Sequence, residues 1–97
     1  MQYSIVLSPE AVRQFRQLSA YERAQVRDAL ERHLRHQPEK TSRSRIKRLR
    51  GVARPQYRLR VGDIRVYYDV AGSDVEVLAV LTKSVGQKWL TQAGESE

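Results

Sequence analysis

Residues 57–70 read YRLRVGDIRVYYDV. Two β-rich runs flank Gly62-Asp63, a two-residue link suited to a hairpin. That loop sets a register: Val61 faces Ile64, Arg60 faces Arg65, Leu59 faces Val66, Arg58 faces Tyr67 and Tyr57 faces Tyr68. Because strand side chains alternate with a period of two, one face carries Tyr57, Leu59, Val61, Ile64, Val66, Tyr68 and Val70 and suits a core. The other carries Arg58, Arg60, Arg65, Tyr67 and Asp69. Like charges directly opposite one another destabilise a sheet, and Asp69 is too far along its strand to neutralise three arginines. Such a face calls for an anionic partner.

Working outward, Val75–Thr82 (VEVLAVLT) is apolar on both faces, as a central strand is. At the other end Tyr3, Ile5 and Leu7 share one face of a short strand. After it, Ser8 suits a helix N-cap, Pro9 the first helical position and Glu10 the positive end of the helix dipole. Ala11, Val12, Phe15 and Leu18 form the stripe expected to be buried on this helix. Ser19 and Glu22 spell a capping box that starts a second helix running to about Arg35, with Val26, Ala29, Leu30, His33 and Leu34 on one side. His33 and His36 read as helix-end residues, since no third metal ligand accompanies them. Pro38 and its polar neighbours read as a loop, and IKRLRGVARP (46–55) as an ordered but mobile approach to the sheet. The expected fold is α+β: a small antiparallel-rich sheet, in the order β-α-α-β-β-β, with an N-terminal helical hairpin packed on one face. Residues 1–90 are expected to form one domain, and residues 91–97 (TQAGESE) a disordered tail.

The chain has 97 residues and a net charge of +7. Residues 1–36 carry +2, residues 37–70 carry +7 and residues 71–97 carry −2, so the excess is local. Concentrated positive potential on a small domain draws polyanions, nucleic acid or an acidic protein segment. With no cysteine, disulfides and Cys-based zinc sites are excluded. The absence of a leader pattern or a long apolar run leads us to expect a soluble, cytoplasmic protein without membrane attachment.

No phosphate-cradling loop, zinc-protease helix or nucleophile elbow is present, and no cofactor is expected. What remains is the basic, aromatic-dotted face. Arginine donates to phosphate in a planar fork, and Tyr67 or Trp89 offers a ring on which an unpaired base can stack. RNA carries its own nucleophile, the 2′-hydroxyl, so cleavage without a metal requires orientation, charge stabilisation and proton transfer. Lys47 and Lys83 are the candidate proton carriers, because a lysine crowded by cations has a lowered pKa. On the residues alone, binding ranks above catalysis.

The segments RLRG (48–51), YRLRVGDIRVYYDV (57–70) and VEVLAVLTK (75–83), in this order after a strand and a helical hairpin, resemble the RelE/ParE toxins of bacterial type II toxin-antitoxin systems. The resemblance to RelE-like members implies a ribosome-dependent endoribonuclease that enters the ribosomal A site and cuts mRNA through the 2′-hydroxyl. By position it implies catalytic roles for Arg58, Arg60, Arg65 and Lys83, and RNA contacts for Lys47, Arg48 and Arg50, beside the aromatic contacts of Tyr67 and Trp89. It also implies a cognate antitoxin, whose acidic segment would wrap the basic surface in a hetero-oligomer. The sequence departs from those members in placing Trp89, which has no proton to exchange, where some carry a tyrosine or histidine. The ParE branch implies the alternative, inhibition of DNA gyrase without cleavage. A decayed, non-toxic binding module is a third reading.

Overall fold

The computed structural model describes residues 2–96. Strands β4 (Tyr57–Val61) and β5 (Ile64–Ala71) form the hairpin, with all five facing pairs in the register set by a Gly62-Asp63 loop. Gly62 has φ +59°, a left-handed conformation that the tight turn requires and that side chains disfavour. Strand β6 (Asp74–Thr82) runs antiparallel to β5. The N-terminal strand β1 (Ser4–Leu7) lies parallel to β6 at one sheet edge. At the other edge β2 (Ile46–Arg48) pairs antiparallel with β4, giving the order β1-β6-β5-β4-β2.

Strand β2 places a paired edge strand within 46–55, where an ordered but mobile approach to the sheet was expected. Ile46 sits opposite Leu59 and is buried with it, which fixes the edge strand. Three residues, of which one is buried, are too few for an alternation to be read. The next strand, β3 (Val52–Arg54), belongs to a separate two-stranded sheet.

The helical hairpin forms as its caps dictate. Helix α1 (Pro9–Gln17) begins where the Ser8 hydroxyl accepts from the Ala11 amide at 3.0 Å. Helix α2 (Ala20–Ala29) begins with the reciprocal capping box, Glu22 N–H to Ser19 at 3.1 Å and Ser19 N–H to the Glu22 carboxylate at 3.0 Å. It continues through a π-helical turn, Leu30–Leu34. Ala11, Val26, Leu30 and Leu34 close over Leu59, Val66, Tyr68, Val77 and Val80 to make the core, with Phe15 and Leu18 packed at its margin. Val12 lies outside that cluster. Gln14 turns inward instead, and its Oε1 accepts from the Val80 amide at 2.7 Å. This bond falls beside a β-bulge, where Tyr67 faces Ala79 and Tyr68 faces Val77, so a side chain satisfies backbone beside a disrupted ladder. Tyr68 hydroxyl donates to the Pro38 carbonyl at 2.6 Å and ties the loop after α2 to the sheet.

Helix α3 (Lys83–Ala93) covers part of the sheet face opposite the hairpin. Residues 91–93, expected in a tail, form its last turn. Thr91 hydroxyl donates to the Gln87 carbonyl at 3.1 Å and the Gly94 amide to the Leu90 carbonyl at 3.0 Å, so this polar segment meets its hydrogen-bonding needs inside the helix end. Beyond it β7 (Glu95–Ser96) pairs with β3, while residue 97 of the expected tail lies outside the described residues. No helix among the described residues is long and apolar enough to cross a membrane.

Candidate functional site

Strand parity sorts the basic residues. Lys47 faces Arg58 across β2 and β4, Arg58 faces Tyr67 across β4 and β5, and Arg60 faces Arg65. Lys47, Arg48, Arg50 and Arg58 line an open cleft of about 940 Å³, whose far wall includes Gln87 and Leu90 of α3. Arg58 is half-buried here, and its Nε is fully buried without a hydrogen-bond partner. A buried donor left unpaired costs about 1–3 kcal/mol. The Nε itself is closed off, so an oxyanion in the cleft would meet the terminal nitrogens of the guanidinium.

The other expected catalytic residues gather elsewhere, around the hairpin turn. Arg65 is 6 % exposed, and its Nη1 donates to the Gly62 carbonyl at 2.8 Å and the Ile64 carbonyl at 3.1 Å. Burial, followed by the charges of Arg58 and Arg60, holds its guanidinium below the usual arginine range. Arg60 is exposed. Lys83 is also exposed, at the start of α3, and its amide donates to the Asp63 carbonyl at 2.9 Å. Of the four, Arg58 alone lines the cleft.

The two aromatics expected to stack on RNA stack on each other's side of α3. Tyr67 is 1 % exposed. A Cβ at Gly86 would stand 2.7 Å from its hydroxyl, so α3 seats on the Tyr67 ring only because position 86 has no side chain. Trp89 lies beside the same ring, centroids 5.2 Å apart. Burial raises the Tyr67 phenol above its ordinary pKa. In this arrangement Tyr67 is closed to a base.

Arg48 faces the hairpin side. Its guanidinium stands 5.4 Å from the Tyr57 ring centroid and donates to the Gln56 carbonyl at 2.9 Å, while still forming part of the cleft wall. Asp69 is engaged apart from the arginine cluster: it accepts from Arg54 Nε at 2.6 Å and from the Gln56 amide at 2.7 Å. Gln87 and Leu90 were missed as cleft residues because nothing in KSVGQKWL declares which turn of a helix will rest against a sheet edge. Among the described residues no three His, Asp or Glu side chains are grouped to hold a metal.

Comparison with known proteins agrees with this architecture. No curated protein sequence matches the chain. Among solved structures, a chain of the RelB-RelE antitoxin-toxin complex from Methanococcus jannaschii superposes with a TM-score of 0.66 at 18% identity, covering 87% of this chain and 96% of that one. The archaeal RelE-RelB complex from Pyrococcus horikoshii gives 0.64 at 24% identity, over 86% and 97%. The toxin-antitoxin complex RelBE2 from Mycobacterium tuberculosis gives 0.60 at 21% identity, over 86% and 100%. These likenesses are of fold. The model of the ParE toxin of the type II toxin-antitoxin system parDE matches residues 5–84, which runs from the second residue of β1 through the helical hairpin and the remaining strands of the five-stranded sheet to the start of α3. The chain therefore belongs to the RelE/ParE family of type II toxin-antitoxin toxins.

Proposed function

We propose that this toxin holds mRNA in the cleft between β2, β4 and α3 and cleaves it in the ribosomal A site through the RNA 2′-hydroxyl. The observation that carries the reading is Arg58: a half-buried guanidinium with an orphaned Nε, in a cleft walled by Lys47, Arg48 and Arg50. A phosphodiester would offer charge and acceptor oxygens to the guanidinium's terminal nitrogens. Arg58 would stabilise the extra negative charge that develops on phosphorus. Among the cleft cations Lys47, directly across from Arg58, is the one able to exchange a proton. Arg60 and Lys83, exposed near the hairpin turn, would meet RNA or ribosome further along the strand. Arg65 would act as a fixed positive charge behind them.

The solved relatives are complexes of RelE with RelB, and this chain is proposed likewise to be held by a cognate antitoxin, whose acidic segment competes with RNA for the same cations. Induction without the antitoxin should arrest growth and produce new mRNA 5′ ends in phase with A-site codons. Arg58→Ala should abolish both while the protein still accumulates.

A second reading, inhibition of DNA gyrase, is favoured by the ParE model that matches the chain and by the presence of one titratable amine in a cleft otherwise walled by permanent cations. Arrest with intact mRNA and DNA damage would select it.

A further inference from the structure

A second basic pocket lies outside the cleft, where α2 ends. It has a volume of about 180 Å³ and is lined by Arg32, His33, His36, Lys40 and Arg45 together with Thr41 and Ser42. We infer that this pocket binds a backbone phosphate of the same RNA strand that occupies the Arg58 cleft, an inference that rests on the RNA reading above.

Three observations carry it. The lining holds five basic side chains and no carboxylate, and among the described residues neither Lys40 nor Arg45 has an ion pair. A surface cluster of this kind is self-repelling until an anion enters. Secondly, the donors converge in kind: a guanidinium, an ammonium and two imidazoles stand with two hydroxyls, the set that recognises a phosphate's several acceptor oxygens. Ser42 is held in place for this, because its Oγ already accepts from the Arg45 amide at 3.0 Å and the Ile46 amide at 3.2 Å, leaving its hydroxyl proton to donate outward. Thirdly, Thr41, Ser42 and Ile46 line both the pocket and the Arg58 cleft. The two basic surfaces therefore meet around the β2 edge, and a flexible polyanion can pass from one to the other.

The pocket has a built-in reporter. In the free protein His33 sits below its ordinary pKa because it is partly desolvated and faces Arg45 and Arg32, with Asp28 opposing them weakly. Asp28 is turned to Arg32 at 3.4 Å. A bound phosphate reverses this balance and favours the imidazolium, so binding takes up a proton and weakens as pH rises through neutrality.

The test follows the two histidine ring signals by NMR while a short single-stranded RNA, or inorganic phosphate, is added to the full chain, its Arg45→Ala variant and its Arg58→Ala variant. The inference expects RNA to shift the His33 signal and raise its pKa, and expects Arg45→Ala to remove that shift and lower the salt slope of RNA binding by about 0.7. RNA binding that is lost in Arg58→Ala, unchanged in Arg45→Ala and silent at His33 overturns the inference and leaves the cleft reading intact. No RNA binding to any form, whether or not inorganic phosphate moves His33, overturns both.

Discussion

The sheet has two covered faces, and they are held by different physics. Toward the helical hairpin, Leu59, Val66, Val77 and Val80 meet Ala11, Val26, Leu30 and Leu34, and the inward polar groups, the Tyr68 hydroxyl and the Gln14 side chain, are bonded to backbone. Toward α3, the buried polar side chains are Arg65, Tyr67 and Asp69, beside the small Ala79, and each of the three needs a specific partner or a specific gap: carbonyls of the turn for Arg65, a missing side chain at Gly86 for Tyr67, Arg54 and Gln56 for Asp69. The hairpin face is a core. The α3 face is a fitted cover over charged and polar groups, and it leaves Arg58 unfinished at its rim. The apolar burial lies on the first face, and the cations proposed to bind an anion lie on the second.

Substitutions that separate the two faces follow in order of expected effect. Leu59→Ala, on the hairpin face, removes a fully buried side chain at the centre of the core and should cost about 2–5 kcal/mol in chemical unfolding. Gly86→Val, on the α3 face, drives a side chain into the Tyr67 ring. Overpacking of this kind costs about 1–3 kcal/mol. The loss should appear as earlier hydrogen exchange in α3 alone, with the hairpin face still protected. If instead both faces open together in Gly86→Val, the separation drawn here is wrong.

A smaller effect comes from His33. In the folded chain its pKa is lowered by burial and by Arg45 and Arg32, whereas the unfolded chain titrates near the ordinary value of about 6.5. Below that value the unfolded state binds more protons, so stability should fall as pH drops from about 6.5 through the folded-state pKa. His33→Gln should flatten this segment of the stability-pH curve and leave Leu59→Ala and Gly86→Val unaffected relative to their own parent.

The hairpin face was readable because its information is local. A loop at Gly62-Asp63 with period-two alternation determines all five pairs, and Ser8, Ser19 and Glu22 declare their caps within three residues. The α3 face was not readable by these means. That Asp69 would engage Arg54, 15 residues back, and that Tyr67 would lie under Gly86 of α3 depend on how distant segments meet, and that Arg65 would turn back on the carbonyls of its own turn is a side-chain choice that strand parity does not specify. The arginines of the hairpin were correctly placed on one face by parity, yet parity does not say that α3 would close over Tyr67 and leave Arg58 at the edge. Likewise β2 is fixed by one buried contact, Ile46 with Leu59, and a single contact leaves no period in the sequence.

The smallest expected effect is the most informative about the basic surface. Arg60 is exposed, stands directly opposite Arg65 and adds to the repulsion that lowers the Arg65 pKa. Arg60→Gln removes that repulsion without emptying any core volume, so stability should change by no more than about 0.5 kcal/mol, in the stabilising direction. The gain should shrink as salt screens the pair. If RNA takes the proposed path, its affinity for the same variant should fall at every salt concentration, because one cation near that path is gone. A substitution that steadies the fold while weakening the ligand is what a surface selected for binding an anion predicts; a gain in stability with RNA affinity unchanged would take Arg60 off the strand's path and leave the binding to the cleft behind it.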